Sequence, residues 1–260
     1  MLKKRLIFVL LYLDGFFVQS RNFRPQKVGD VNWLKQNYNF DNISKYIDEL
    51  IILNISRKEK NFKKFFNDVQ LIIKSVFLPI SLGGGIRDLE LAKECFNNGA
   101  DKIVLNTIFT KKKEEVEKIS SIYGEQSIIA SIDIMKNLSD KNYSVYTDNG
   151  KSEISKNLLD YIEYLREFNF GEYIINSIDR DGTGRGYEEK IIKIIEKKIT
   201  KPLIISGGCG KANHLLSVLQ KDSVSAASTS NLLNFIGDGL KTARITLKDN
   251  GIEIPNWQYD

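Results

Sequence analysis

Two glycine turns carry the clearest chemical signal in this chain. The first is Ser81-Leu82-Gly83-Gly84-Gly85-Ile86-Arg87-Asp88, and the second is Ser206-Gly207-Gly208-Cys209-Gly210-Lys211. Each follows a short apolar run, residues 76–80 and 203–205, that reads as a buried strand, and each precedes a stretch of helical spacing. Glycines at a strand-to-helix turn let the backbone approach a ligand closely. Amides at such a turn, with a helix N-terminus behind them, make an anion site. One triple glycine is equally well a plain tight turn. Its recurrence in the other half of the chain suggests a ligand with a phosphate at each end.

Other candidates for chemistry are sparse. Asp133 ends the apolar run 128–132 and so places a carboxylate at a strand C-terminus. His214 is the only histidine, which excludes Ser-His-Asp chemistry unless that residue is the base. It lies in a helical run, where a structural or surface role fits better. The two cysteines, Cys95 and Cys209, exclude a cysteine-rich zinc site and a disulfide framework. Cys95 reads as core, and Cys209 as the small residue a glycine turn needs. No metal or cofactor is expected.

The net charge of +5 comes from lysines spread over helical segments (58–64, 111–118, 190–201) and mostly interleaved with acids. That is the pattern of a solvated face rather than of nucleic-acid binding. Lys3-Lys4-Arg5 followed by apolar residues 6–13 imitates a signal peptide. The run is short, however, Asp14-Gly15 ends it, and no small-residue cleavage site follows. A buried first strand explains it better. No run reaches transmembrane length, and a cytoplasmic, membrane-free protein is expected.

The elements that would position these residues alternate. Strands are expected at 6–13, 47–54, 76–80 running into the first glycine turn, 100–107, 128–133, 171–178, 203–206 and 223–228. Helices are expected at 31–42, 61–74, 89–98, 113–123, 158–168, 188–197, 212–221 and 231–250. Residues 16–33 read as a long functional connection, and 136–156 as a polar insertion with a small hairpin around Asp148-Asn149-Gly150. Eight strands alternating with helices over this length indicate one (β/α)8 TIM barrel covering 1–260; a doubly wound sheet is the alternative. The barrel explains why polar and glycine residues recur at strand C-termini. Glycine turns after the third and seventh strands indicate two tandem half-barrels.

Several motifs together resemble the cyclase subunit of imidazole glycerol phosphate synthase (HisF) over essentially the whole chain. They are Lys4-Arg5 with Asp14-Gly15, Asp48-Glu49-Leu50, Gly83-Gly84-Gly85-Ile86-Arg87, Gly99-Ala100-Asp101-Lys102, Ile132-Asp133, the run from Ser177 to Thr183, and Ser206-Gly207-Gly208 with Gly210-Lys211. The resemblance implies a barrel of the ribulose-phosphate-binding type. Ammonia reaches it from a glutaminase (HisH-like) subunit at the N-terminal face, and a substrate with two phosphates binds at the C-terminal face. Carried over residue by residue, it implies phosphate or substrate contacts at Gly84, Gly85, Asn106 and Thr107 in one half. In the other half it implies contacts at Asp181, Gly182, Ser206, Gly207, Gly208, Ala227 and Ser228. It further implies a charged ammonia gate of Arg5, Glu49, Lys102 and Glu172, and a glutaminase contact at Asp101.

The acid–base pair departs from the family. Asp133 matches one of its two aspartates, but the other falls on Leu11, which cannot transfer a proton; acid–base help is worth about 10²–10⁴ in rate. A family lysine becomes Gln19, and an aspartate ending the second strand becomes Asn54. Loss confined to the reacting face resembles a side branch of HisF-like subunits that serve surface-polysaccharide biosynthesis. There the barrel and glutaminase supply ammonia to a separate sugar amidotransferase. Residues 22–30 also look closer to that branch. The alternatives are a genuine cyclase of histidine biosynthesis, with Asp133 acting alone or with a substitute acid, and a non-catalytic phosphate-binding scaffold.

Overall fold

The computed structural model describes residues 3–38, 40, 42–57, 61–137 and 142–256. Residues 58–60 of the expected charged helix face, residues 39 and 41 of the helix expected at 31–42, and 138–141 of the insertion lie outside the described residues.

In chain order the strands are β1 (Arg5–Leu13), β2 (Phe16–Arg21), β3 (Arg24–Gly29), β4 (Glu49–Asn54), β5 (Ile80–Gly83), β6 (Lys102–Leu105), β7 (Ile128–Lys136), β8 (Tyr143–Thr147), β9 (Ser152–Asn157), β10 (Glu172–Ser177), β11 (Leu203–Ser206) and β12 (Ala226–Thr229). Eight of them, β1, β4, β5, β6, β7, β10, β11 and β12, pair in parallel, and β12 returns to β1. The sheet therefore closes on itself, and helices fill the connections: a (β/α)8 TIM barrel. Closure is what the alternation of elements could not count.

The barrel strands are apolar on both faces because one face fills the lumen and the other meets the helices. In β1 the even residues Leu6, Phe8, Leu10 and Tyr12 join the large outer core, whereas Ile7 and Val9 join the lumen with Ile51, Val104, Ile129, Ile174 and Ile204. Leu11 and Leu53 extend that inner column upward. Side-chain alternation along a strand is sufficient to explain the split.

Four expectations change in detail. The run 76–79 is not a buried strand: Phe77 is 76% exposed, and β5 begins at Ile80. Pairing with β4 and β6 takes in Ser81, Leu82 and Gly83, so the first glycine of the triple belongs to the strand. Residues 16–29 form a hairpin, β2–β3, rather than a loop, added antiparallel to the upper end of β1. Its turn residues Asn22 and Phe23 hold φ of 50° and 59°. The polar, largely exposed β3 gives no alternating apolar signal. Finally, 231–238 is a run of turns, and the last helix begins at Gly239. Gly237, at φ 61°, interrupts the helical path there.

The two halves repeat one plan. Each carries a hairpin after its first strand, β2–β3 and β8–β9. Each opens its second strand with a glutamate, Glu49 and Glu172. Each follows its third strand with glycines at positive φ, Gly84 and Gly85 in one, Gly207 and Gly208 in the other.

Candidate active site

At the C-terminal ends of the strands the lumen widens into a cavity of about 330 Å³. Apolar residues continuing the lumen, Val9, Leu11, Leu53, Val104 and Ile174, line its lower wall. Asp133 stands among them on β7, next to Asn176 of β10 in the sheet register. Asn106 Nδ2 donates to Asp133 Oδ2 at 3.0 Å, and Asn176 Nδ2 donates to Oδ1 at 3.1 Å. Both carboxylate oxygens are thus fixed by amides from neighbouring strands. Burial nevertheless pushes the carboxyl up to about 6; the two amides oppose the rise, and the charge of Asp181 adds to it. An acid near 6 can exchange protons close to neutrality.

Leu11 faces the same cavity. In the register, Leu11 pairs with Leu53 of β4 and Val18 of β2, so the wall opposite Asp133 offers no titratable group at that position. Gln19 is buried, and its Oε1 accepts the Leu233 amide at 3.0 Å. It braces β2 against the segment after β12.

The first glycine turn opens into the cavity. Gly84 holds φ 92°, and a Cβ there would lie 2.1 Å from the Asn54 carbonyl oxygen, so only glycine fits. Asp88 then caps α3 (Leu89–Asn97), accepting the Leu91 amide at 2.9 Å, which turns the chain straight into the helix. Thr107 Oγ1 accepts the Asp148 amide at 3.1 Å and ties the β8–β9 hairpin to this half. Arg57, Arg87 and Lys151 line the mouth, with Arg87 3.6 Å from Asp148. Phe23, from the tip of the β2–β3 hairpin, donates its amide to the Asp181 carbonyl and packs at Gly150 of the facing hairpin.

The second glycine turn is tighter. Gly207, Gly208, Gly182, Asp181 and Ser228 surround a space of about 10 Å³. A Cβ at Gly208 would lie 2.3 Å from the Gly186 carbonyl oxygen. Tyr187 donates to the Ser228 carbonyl at 2.7 Å from behind. Ser206 ends β11 and lines the large cavity, whereas Ala227 is buried within β12 and lines neither space. Cys209 is buried, and burial pushes its thiol up to about 11; Cys95 is buried too. His214 lies on α8 (Ala212–Leu219), where Nδ1 accepts the Gly210 amide at 3.1 Å and holds the turn.

At the opposite end of the barrel four charges close the lumen. Arg5 bonds Glu49 and, at 2.5 Å, Glu172; Lys102 bonds Glu172 at 2.5 Å and approaches Glu49 at 3.6 Å. The four side chains are only 6–19% exposed. Burial pushes the Glu172 carboxyl up, but Arg5 and Lys102 together outweigh it and hold the group below its ordinary value. Asp101 is exposed beside the ring of charges and accepts the Ile80 amide at 2.8 Å. Behind the ring, buried Arg244 grips Asp48 through both nitrogens, at 3.1 and 2.9 Å.

Fold and site together define a (β/α)8-barrel protein with a cavity at the C-terminal mouth. The chain belongs to the histidine biosynthesis protein family, which it matches over residues 7–234, and within it to the HisF-like members, a family of synthases (lyases). It is 46% identical over 244 residues to a protein of Parasynechococcus marenigrum provisionally named imidazole glycerol phosphate synthase subunit hisF2, covering 94% of this chain and 90% of that one. The HisF subunits of imidazole glycerol phosphate synthase from Chlorobium luteolum and Chlorobium phaeovibrioides are each 33% identical over 254 residues, 98% of this chain and 99% of theirs. Among the described residues no helix is long and apolar enough to cross a membrane.

Sequence reasoning missed Asn176, Arg57, Lys151 and Phe23 at the mouth. Asn176 sits one residue before the end of β10, and only the register with β7 brings it to Asp133. Arg57 and Phe23 lie on connections whose fold gave no periodic signal, and Lys151 lies in the expected hairpin turn, where nothing local showed that it would face the cavity.

Proposed function

We propose that this chain is the HisF-like barrel subunit of a glutamine amidotransferase, supplied with ammonia by a HisH-like glutaminase docked at the Arg5 end. The observation that carries the reading is a ring of four largely buried charges closing a lumen that is lined mainly by apolar side chains, with Ser81 and Ser131 among them, up to Asp133. Ammonia in water near neutral pH is mostly the non-nucleophilic ammonium ion. An apolar bore favours the neutral molecule, because an ion would lose its hydration there without a partner. Opening the ring would admit ammonia, Asp101 and its neighbours would meet the glutaminase, and Asp133 would receive the ammonia at the mouth.

The absent second acid makes ring closure the weaker assignment. The ammonia then passes to an acceptor outside this barrel, most simply a polysaccharide sugar amidated by a separate sugar amidotransferase. The test is an assay of the purified chain with its glutaminase, glutamine and the ribulosyl phosphate substrate of histidine synthesis. Glutamine hydrolysis without imidazole glycerol phosphate is the expected outcome; formation of that product at a useful rate contradicts it.

One observation favours a second reading, a genuine cyclase: Asp133 is poised near 6, where a single group can serve as both acid and base. Leu11→Asp separates the two. As a conduit, the chain should gain product formation by about 10²–10⁴ when the missing acid is restored. A cyclase that already works through Asp133 alone should show no gain.

A further inference from the structure

Gly210, in the second glycine turn, is held from several sides at once. Its amide donates to His214 Nδ1 at 3.1 Å, and its carbonyl accepts Asn234 Nδ2 at 2.9 Å from the segment after β12. The loop after β10 packs on the same residue: a Cβ at Gly210 would lie 2.6 Å from the Gly184 carbonyl oxygen. Earlier in the turn, the Gly208 carbonyl accepts the Gly186 amide at 2.8 Å. We propose that His214 is a positioning residue for an anion at this turn: its neutral imidazole sets the turn, and its protonation releases the turn and the anion with it. This rests on the reading of the turn as a phosphate contact and adds the side chain that controls it.

A trans peptide carries its amide and its carbonyl on opposite sides. Anchoring the Gly208 carbonyl on Gly186 therefore turns the Cys209 amide the other way. Anchoring the Gly210 amide on His214 fixes the next peptide unit. Among the described residues nothing accepts the Gly208 and Cys209 amides, so both remain for a ligand oxygen. Released from His214, the Cys209–Gly210 peptide can rotate, and the turn loses the set that presents those amides.

The bond requires a neutral ring. With Nδ1 accepting, the proton sits on Nε2, and a doubly protonated imidazole has no acceptor left. His214 is the third residue of α8, where the helix N-terminus disfavours a cation. Burial lowers its pKa below the ordinary histidine value; Lys211 adds to the fall and Glu189 opposes it. Gly186, on the loop facing the ring edge, brings no charge: a Cβ there would lie 3.5 Å from His214 Cδ2. Arg180, beside Gly208, is paired with Glu188 at 3.3 Å. Asp181 lines the space of the turn, and burial pushes its carboxyl up. Its protonation would favour an anion at low pH, the opposite sense to the effect of His214.

The experiment uses the tag-free, full-length, ¹⁵N- and ¹³C-labelled chain and inorganic sulfate, whose charge is constant across the histidine range. His214 is the only histidine, so its ring gives a single titration. At matched ionic strength sulfate should shift the Gly207 and Gly208 amides and lower the pH at which the ring protonates, because binding and ring neutrality favour each other. Affinity should fall about fivefold as the ring becomes charged, the loss of one hydrogen bond. His214→Gln, whose side-chain oxygen can still accept the Gly210 amide, should bind sulfate without that fall. His214→Ala should bind about fivefold more weakly at neutral pH. A ring titration that sulfate raises or leaves unmoved overturns the proposal, as does an equal fall in His214→Gln. Sulfate that shifts neither glycine at any pH overturns the anion reading of the turn as well. Neither glutaminase nor ammonia takes part, so failure here leaves ammonia delivery standing, and failure of ammonia delivery leaves this result standing.

Discussion

Asp133 shows how one side chain couples stability to chemistry. Its carboxyl has an ordinary value of 3.8 and is pushed up to about 6 in the folded chain. Between those values the folded state binds more protons than the unfolded one, so stability falls as pH rises through that window and stays lower above it. The gap corresponds to about 3 kcal/mol at neutral pH. Asp133→Asn should therefore remove this loss, gaining about 2 kcal/mol relative to the unaltered chain between pH 4.5 and pH 7, as urea denaturation at the two values would show. An identical pH dependence in both chains would contradict this. Asp133 itself was legible from its place at the end of an apolar run. Its partners were not, because Asn106 and Asn176 are brought to it by register across three strands. Leu11 was legible as a departure only through the family resemblance; as a residue it is an ordinary inward-facing member of β1.

At the scale of elements, the glycine turns were read correctly as strand-to-helix punctuation because glycine is there for a backbone reason. Gly84→Ala should destabilise the chain by about 3 kcal/mol or more. It combines a strained φ of 92° with a Cβ 2.1 Å from the Asn54 carbonyl oxygen. Thermal or chemical denaturation checks this, and an unchanged midpoint would mean that the turn relaxes freely. The hairpin after β1 was not legible. β2 is buried and β3 is exposed, so no shared alternation marks the pair, and Pro25 lies within the second strand, where it argues against one. The hairpin after β7 was legible, because Asp148-Asn149-Gly150 is strong turn chemistry between alternating residues. Most of the barrel strands were found for a simpler reason: lumen and helix layers bury both faces, so β1, β4, β6, β7, β10 and β11 are rich in apolar residues, whereas β5, Ile80–Gly83, with its serine and glycine, was placed four residues early.

For the whole molecule, the arrangement has a direction. A charged ring closes one end, a mainly apolar bore follows, and the cavity with Asp133 and the glycine turns lies at the other end. The ring residues stood in the sequence as charges at four separate strand starts, and only closure of the barrel brings Arg5, Glu49, Lys102 and Glu172 into one network. The most direct test of that direction measures glutamine hydrolysis by the glutaminase alone, with this chain, and with its Lys102→Ala variant in a complex shown to assemble. Hydrolysis should rise at least tenfold when the chain is added. Delivery of glutamine-derived ammonia to the mouth should be lost in the variant while assembly persists. A glutaminase equally active without the chain, or ammonia delivery unaffected by Lys102→Ala, would contradict a barrel that conducts ammonia.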